Sequence, residues 1–199
     1  MTLLPCVVLA LGIAWGNPRN PGNSELSFEE YFVQRWYQDP VESVRFAGAA
    51  EAHPAPGVID AIMAASVILV APSNPVTSIG PILAVPGIRE ALEQTQAPVV
   101  AVTPIVAGAA VSGPAGVLMA AQGLPVSIAG VAQAYHDFLD ILIADTRDAG
   151  AAEELQRSGL RVYCAPTLMR TLDDKANLAR TVLSVVYGES KAHKATDPS

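Results

Sequence analysis

The run Pro72-Ser73-Asn74-Pro75-Val76-Thr77-Ser78-Ile79-Gly80-Pro81 sets four small hydroxyl or amide side chains among three prolines. Further along, Thr103 leads into Pro104-Ile105-Val106-Ala107-Gly108-Ala109-Ala110-Val111-Ser112-Gly113-Pro114, a loop built of Gly, Ala and Ser. Both stretches carry little side-chain bulk, so an anionic ligand can approach the backbone, where the free N–H groups of a helix start point outward. That is the chemistry of a phosphate or diphosphate site. The same residue types also turn chains and cap helices: Ser78 is placed to cap a helix that Pro81 would begin, and Pro114 opens another. Neither loop matches GxGxxG or GxxxxGK[ST], so on residue type alone both readings stand.

Other chemistry-bearing residues are more scattered. His53, His136 and His193 are separated by long intervals, which gives a metal triad little support. His136 sits beside Asp137 near a helix end and reads as a solvated or capping residue; His53, before Pro54, reads as a loop residue. Asp145 follows an apolar run at the position from which carboxylates bind ribose or Mg²⁺, and it is equally placed to cap a helix after Thr146. Cys6 and Cys164 form no CxxC or metal spacing, and Cys164, within a strand and without an adjacent base, reads as core. Glu29 and Glu30 after Ser27 fit a first helical turn. The cluster Phe28, Tyr31, Phe32, Trp36 and Tyr37 can stack on a flat heteroaromatic ligand or pack as core.

The elements that must position these residues follow from periodicity. Strands are predicted at 41–47, 67–71, 98–103, 140–144 and 161–165, and the continuous apolar runs VILVA, VVAVT and ILIA read as interior strands covered on both faces. Helices are predicted at 57–65, 88–95, 115–122, 131–138, 151–157 and 173–187. In the last of these Leu178, Val182, Val185 and Val186 make one stripe. Alternating short strands and helices imply an α/β fold with a mainly parallel sheet, whose ligands sit beyond the carboxyl ends of the strands. Both small-residue loops fall there.

The composition suits a folded domain, with 51% hydrophobic and 16% charged residues. A net charge of −7 gives no electrostatic footprint for nucleic acid or an anionic membrane, so a bound anion would rest on backbone N–H groups and helix starts. Met1–Trp15 is apolar but has no basic residue before the run and is interrupted by Pro5, so no export and a cytoplasmic protein are expected. The division expected is an atypical N-terminal segment and linker over 1–24, an α/β domain over 25–189 and a polar tail over 190–199, with residues 16–24 and the tail as irregular pieces.

The strings APSNPVTSIGPILAVPGIREAL, APVVAVTPIVAGAAVSGPAG, GVAQAYHDFLD and RVYCAPTLM, with LSFEEYFVQRW and VRFAGAAEAHPAPGVIDAI upstream, resemble the 2-phospho-L-lactate transferase family of coenzyme F420 biosynthesis. The resemblance implies a Rossmann-like three-layer α/β fold. It implies transfer of a 2-phospholactyl or phosphoenolpyruvyl group from a guanylyl diphosphate donor to the ribityl hydroxyl of a 7,8-didemethyl-8-hydroxy-5-deazaflavin, with release of GMP and with Mg²⁺. It places Ser73, Asn74, Thr77, Ser78, Gly80, Thr103, Gly108, Ser112 and Gly113 at the substrates; it assigns no catalytic or metal-binding residue here. Partners are then the two substrates, with no nucleic acid or membrane, and a homo-oligomer is compatible. The pattern is joined at about Glu25. The family's Gly-rich first turn of the GGTGGAK kind and its acidic, Asn-containing segment are not found, Ser112 stands where Lys or Arg is expected, and Gly116-Val117 replaces more polar residues. The expectation is a domain lacking the family's N-terminal part, with transfer impaired; the alternative is a non-catalytic nucleotide- or deazaflavin-binding module.

Overall fold

In the computed structural model the described residues are 10–17 and 20–194, with side chains described over 26–188. Strand β1 (Ala10–Asn17) pairs antiparallel with both β2 (Asn20–Ser27) and β3 (Val41–Ala47), giving the order β2-β1-β3. Two expectations are corrected here. Residues 16–17 and 20–24 are strand rather than linker, because Gly and Asn occur in strands next to a turn as readily as in a connection. Val41–Ala47 is a strand outside the parallel sheet: Glu42, Ser43 and Arg45 are exposed while Val41 and Val44 are half-buried, the alternation of an antiparallel strand with one solvated face. Between β2 and β3 lies the wide helical turn Glu30–Gln34, begun by a reciprocal cap in which Ser27 N–H donates to Glu30 Oε2 (2.9 Å) and Glu30 N–H to Ser27 Oγ (3.2 Å).

The rest of the chain is an α/β unit. In order come α1 (Val58–Met63), β4 (Ile68–Val70), a wide helical turn Pro75–Ile79, α2 (Gly80–Leu83), α3 (Ile88–Gln94) and β5 (Val99–Val102). A small hairpin of β6 (Ile105–Val106) and β7 (Ala109–Ala110) precedes α4 (Ala115–Ala121) and α5 (Ile128–Ala134). Then follow β8 (Ile141–Asp145), α6 (Ala149–Arg157), β9 (Arg161–Ala165) and α7 (Leu172–Lys194). The sheet order is β4-β5-β8-β9, parallel throughout, with Leu69 opposite Val100, Ala101 opposite Leu142, and Leu142 opposite Val162.

Alternation along the strands divides the core. Val99, Ala101, Leu142 and Ala144 face a large cluster holding Val58, Ile62, Ile88, Leu92, Leu118 and Val131, and their neighbours Val100, Val102, Ile141 and Ile143 face Leu178, Val182 and Val186 of α7. The expected stripe on the last helix is therefore the cover of the second face. The apolar runs of β5 and β8 are interior, as expected. That of β4 is not: β4 ends the sheet among the described residues, and Leu69 is 52% exposed. Apolarity records burial of one face and of the neighbouring strand, not position in the order. Cys164 is likewise exposed rather than core, because β9 forms the opposite edge. The tail expected from 190 is helix as far as Lys194, with 195–199 outside the described residues; most of the Met1–Trp15 segment also lies outside them. Among the described residues no helix is long and apolar enough to cross a membrane.

Candidate functional site

A cavity of about 480 Å³ opens beyond the carboxyl ends of the parallel strands. Its floor comes from the turn after β4, with Pro72, Ser73, Asn74, Thr77 and Ser78. Thr103 and Pro104 follow β5, and Val111, Ser112, Pro114 and Ala115 lead into α4. Thr167, Leu168 and Met169 follow β9, and Phe28 and Phe32 reach in from the segment after β2.

Asn74 organises the floor. Its side-chain Oδ1 accepts hydrogen bonds from Val76 N–H (2.9 Å) and Thr77 N–H (3.3 Å), and its carbonyl accepts from Ser78 and Ile79 N–H (both 3.1 Å). The cap of this turn is therefore Asn74 and not Ser78, as expected from sequence; α2 starts after Ile79 with no side-chain cap. An asparagine followed by proline does this because its short acceptor reaches the two N–H groups that the first turn leaves unpaired, and Pro75 lacks an N–H to compete. With the oxygen so committed, the amide nitrogen is what Asn74 can offer a ligand. It is a pair of donors, suited to a phosphate or hydroxyl oxygen.

The remaining expected residues divide. Ser73, Thr77, Ser78, Thr103 and Ser112 line the same cavity as Asn74. Thr103, however, is buried and its hydroxyl is spent on the backbone of Ile105, accepting from its N–H (3.1 Å) and donating to its carbonyl (3.2 Å). Gly113 sits in the left-handed region (φ +68°), where a Cβ would lie 4.0 Å from Phe32 Cε2, so the loop before α4 comes up against the aromatic wall. Gly108 (φ +73°) with Ala107 (φ +51°) forms the tip of the β6-β7 hairpin, away from the lining. Gly80 lines a second hollow of about 360 Å³ behind the turn, where a Cβ would stand 2.7 Å from Phe46 Cζ.

The same cavity has an aromatic wall. Phe28 and Phe32 are stacked with ring centroids 5.4 Å apart and planes 20° apart, and Phe32 stacks in turn on Tyr37 (5.5 Å, 23°). Tyr31, the one buried member of the cluster, is core, and burial pushes its phenol up from the ordinary value, with Asp39 adding to the shift. The core reading therefore holds for Tyr31, while Phe28 and Phe32 line the cavity.

Thr167, Leu168 and Met169 were missed as site residues. The signal available was position alone, since they directly follow a strand whose carboxyl end points the same way as the others. What holds them is Asp145, the last residue of β8 and only 2% exposed. Its Oδ2 accepts from both the N–H and the hydroxyl of Thr167 (3.0 Å each), and its Oδ1 accepts from Arg147 N–H (3.1 Å) and Nε–H (2.6 Å). The Arg147 guanidinium, followed by the N–H groups of Thr167 and Arg147, holds this carboxyl well below the usual carboxylate range against the opposing effect of burial. Asp145 is thus the cap of the turn after β8, one of its two expected roles.

These residues do not fit Mg²⁺. A hard cation takes carboxylate oxygens, and no carboxylate lines the cavity; the nearest candidate in sequence, Asp145, has both oxygens filled by donors. No group of three or more His, Cys, Asp or Glu suited to a metal occurs among the described residues. His136 is exposed, with Nδ1 3.1 Å from Gln133 O, and His53 is an exposed loop residue.

A parallel sheet flanked by helices, with a hollow beyond its carboxyl edge, defines a Rossmann-like α/β fold. The family is given by comparison: the model described as 2-phospho-L-lactate transferase CofD matches residues 19–179, and the chain belongs to that family. It is 44% identical over 161 residues to a phosphoenolpyruvate transferase of Streptomyces griseus, covering 80% of this chain and 51% of that protein. It is also 44% identical over 165 residues to a 2-phospho-L-lactate transferase of Methanopyrus kandleri, covering 81% and 51%. The chain thus spans about half the length of the curated relatives it matches. The fold is similar to that of a UPF0052-family protein from Bacillus halodurans, at a TM-score of 0.57 and 17% identity, over 88% of this chain and 58% of that one.

Proposed function

We propose that this chain serves transfer of a 2-phospholactyl or phosphoenolpyruvyl group from a guanylyl diphosphate donor to a 7,8-didemethyl-8-hydroxy-5-deazaflavin, and that the cavity holds the acceptor against the reacting phosphate. The observation that carries this is one hollow with two unlike sides. The Phe28 and Phe32 rings offer a flat apolar surface to a tricyclic ring. In the same hollow, Ser73, Thr77, Ser78 and Ser112 and the Asn74 amide nitrogen supply hydrogen bonds for ribityl hydroxyls or phosphate oxygens.

In the transfer, the ribityl hydroxyl oxygen forms a bond to the phosphorus bearing the lactyl or enolpyruvyl group, the bond from that phosphorus to the bridging oxygen breaks, GMP leaves with the electron pair, and the hydroxyl's proton passes to solvent or to the leaving phosphate. The described lining contains no carboxylate, histidine or amine, so its contribution is orientation and hydrogen bonding. Any Mg²⁺ would come in on the diphosphate, with no ligand from these residues. We read the protein as cytoplasmic, and self-association remains compatible with this site.

The test is a titration of the purified chain with the deazaflavin, followed by its fluorescence, beside an assay of GMP release with donor added. Measurable deazaflavin binding is expected, with slow transfer, because hydrogen bonds alone neutralise a diphosphate poorly. Absence of deazaflavin binding would refute the reading.

A further inference from the structure

We infer that Asp145 is a positioning residue for this cavity, acting through Thr167 to hold in place the wall formed by Thr167, Leu168 and Met169. The inference rests on the cavity being the deazaflavin site and goes beyond it in assigning what sets its width.

The argument is geometric. Asp145 pairs with Ala165 across β8 and β9, so its side chain starts level with the last strand residue of its neighbour. From there Oδ2 reaches two residues further along the other chain segment and binds Thr167 twice, once at the backbone and once at the hydroxyl. A backbone bond fixes where the segment runs, and the hydroxyl bond fixes which way the residue faces. Thr167 is itself buried at 5% exposure, whereas the following Leu168 and Met169 are half-buried and exposed along the cavity rim. Arg147 completes the arrangement by filling Oδ1, which stops the carboxylate from rotating away from Thr167. A carboxylate with all four donors in place costs less to bury than one left with an empty oxygen, so the same bonds that orient the loop also permit a charge at the end of an interior strand.

The experiment compares Thr167→Val, Thr167→Ser, Asp145→Asn and Asn74→Ala with the unsubstituted chain, using the deazaflavin as probe and thermal unfolding as the control for folding. Thr167→Val keeps the shape and the backbone bond but loses the hydroxyl bond. Thr167→Ser keeps both. The expected result is deazaflavin affinity lowered about fivefold or more in Thr167→Val, restored in Thr167→Ser, and lowered in Asp145→Asn, with Thr167→Val still folding cooperatively. Rescue by serine separates positioning from simple packing, because serine packs worse than valine at a buried site yet restores the bond. Thr167→Val that binds like the unsubstituted chain, while Asn74→Ala binds weakly, would overturn the positioning role and leave the cavity reading intact. An unsubstituted chain that does not bind the deazaflavin would overturn both.

Discussion

Asn74 carries two separable duties. Its oxygen caps the turn Pro75–Ile79, and its nitrogen is left for the cavity. Asn74→Ala removes both and should cost about 1 kcal/mol of stability through the lost cap as well as affinity. Asn74→Asp is the sharper probe: a carboxylate still accepts from Val76 and Thr77 N–H, but the two donors become a negatively charged oxygen. Stability to denaturant should stay close to that of the unsubstituted chain, while affinity for pyrophosphate, measured by calorimetry, should fall about tenfold or more, or about 1.4 kcal/mol. Equal pyrophosphate affinity in Asn74→Asp would remove Asn74 from the ligand contacts without touching its role as a cap. The sequence made Asn74 legible as a polar residue in a turn at the right end of a strand. It did not reveal which atom was spent, because that depends on the turn being wide enough to bring Val76 and Thr77 N–H onto one oxygen.

Among elements, β5 and β8 were legible because burial on both faces leaves an unbroken apolar run, and α7 because a stripe at helical spacing has one partner face. The edge position of β4, the antiparallel sheet of β1 to β3 and the exposure of Cys164 were not. Strand order is decided by which connections cross which face, information that no single segment carries. Close approaches are hidden in the same way. Gly130 lies just before the helix expected at 131–138 and carries no signal in the sequence, yet in α5 a Cβ there would lie 1.8 Å from the carbonyl oxygen of Pro125, so the chain entering the helix runs directly against it. Gly150, in α6, has nothing within 4 Å of the same position. Urea unfolding should therefore report a loss on the order of 3 kcal/mol for Gly130→Ala, against a gain of about 0.5 kcal/mol for Gly150→Ala from lower backbone entropy in the unfolded chain. Similar values for the two would mean that α5 enters at a different angle.

At the scale of the whole molecule, charge and site architecture point the same way. The chain carries a net charge of −7, and no Lys or Arg lies among the residues lining the cavity. An anion that binds there is repelled at long range and held at short range by neutral donors, the reverse of a site built on lysine and arginine. The composition already implied this, since a chain with so few cations leaves anion binding to N–H and O–H groups; the structure adds that Arg147, beside Asp145, has its Nε turned onto that carboxylate. Salt then has an unusual sign. Raising ionic strength from about 0.1 M to about 1 M shortens the screening length from about 10 Å to about 3 Å, which weakens the repulsion from the protein as a whole and hardly touches hydrogen bonds made at contact. Pyrophosphate affinity measured by calorimetry across that range should stay level or rise slightly. A steep loss of affinity with salt would instead mean that cationic side chains hold the anion, and would move the site away from the floor formed by Ser73, Asn74, Thr77 and Ser78.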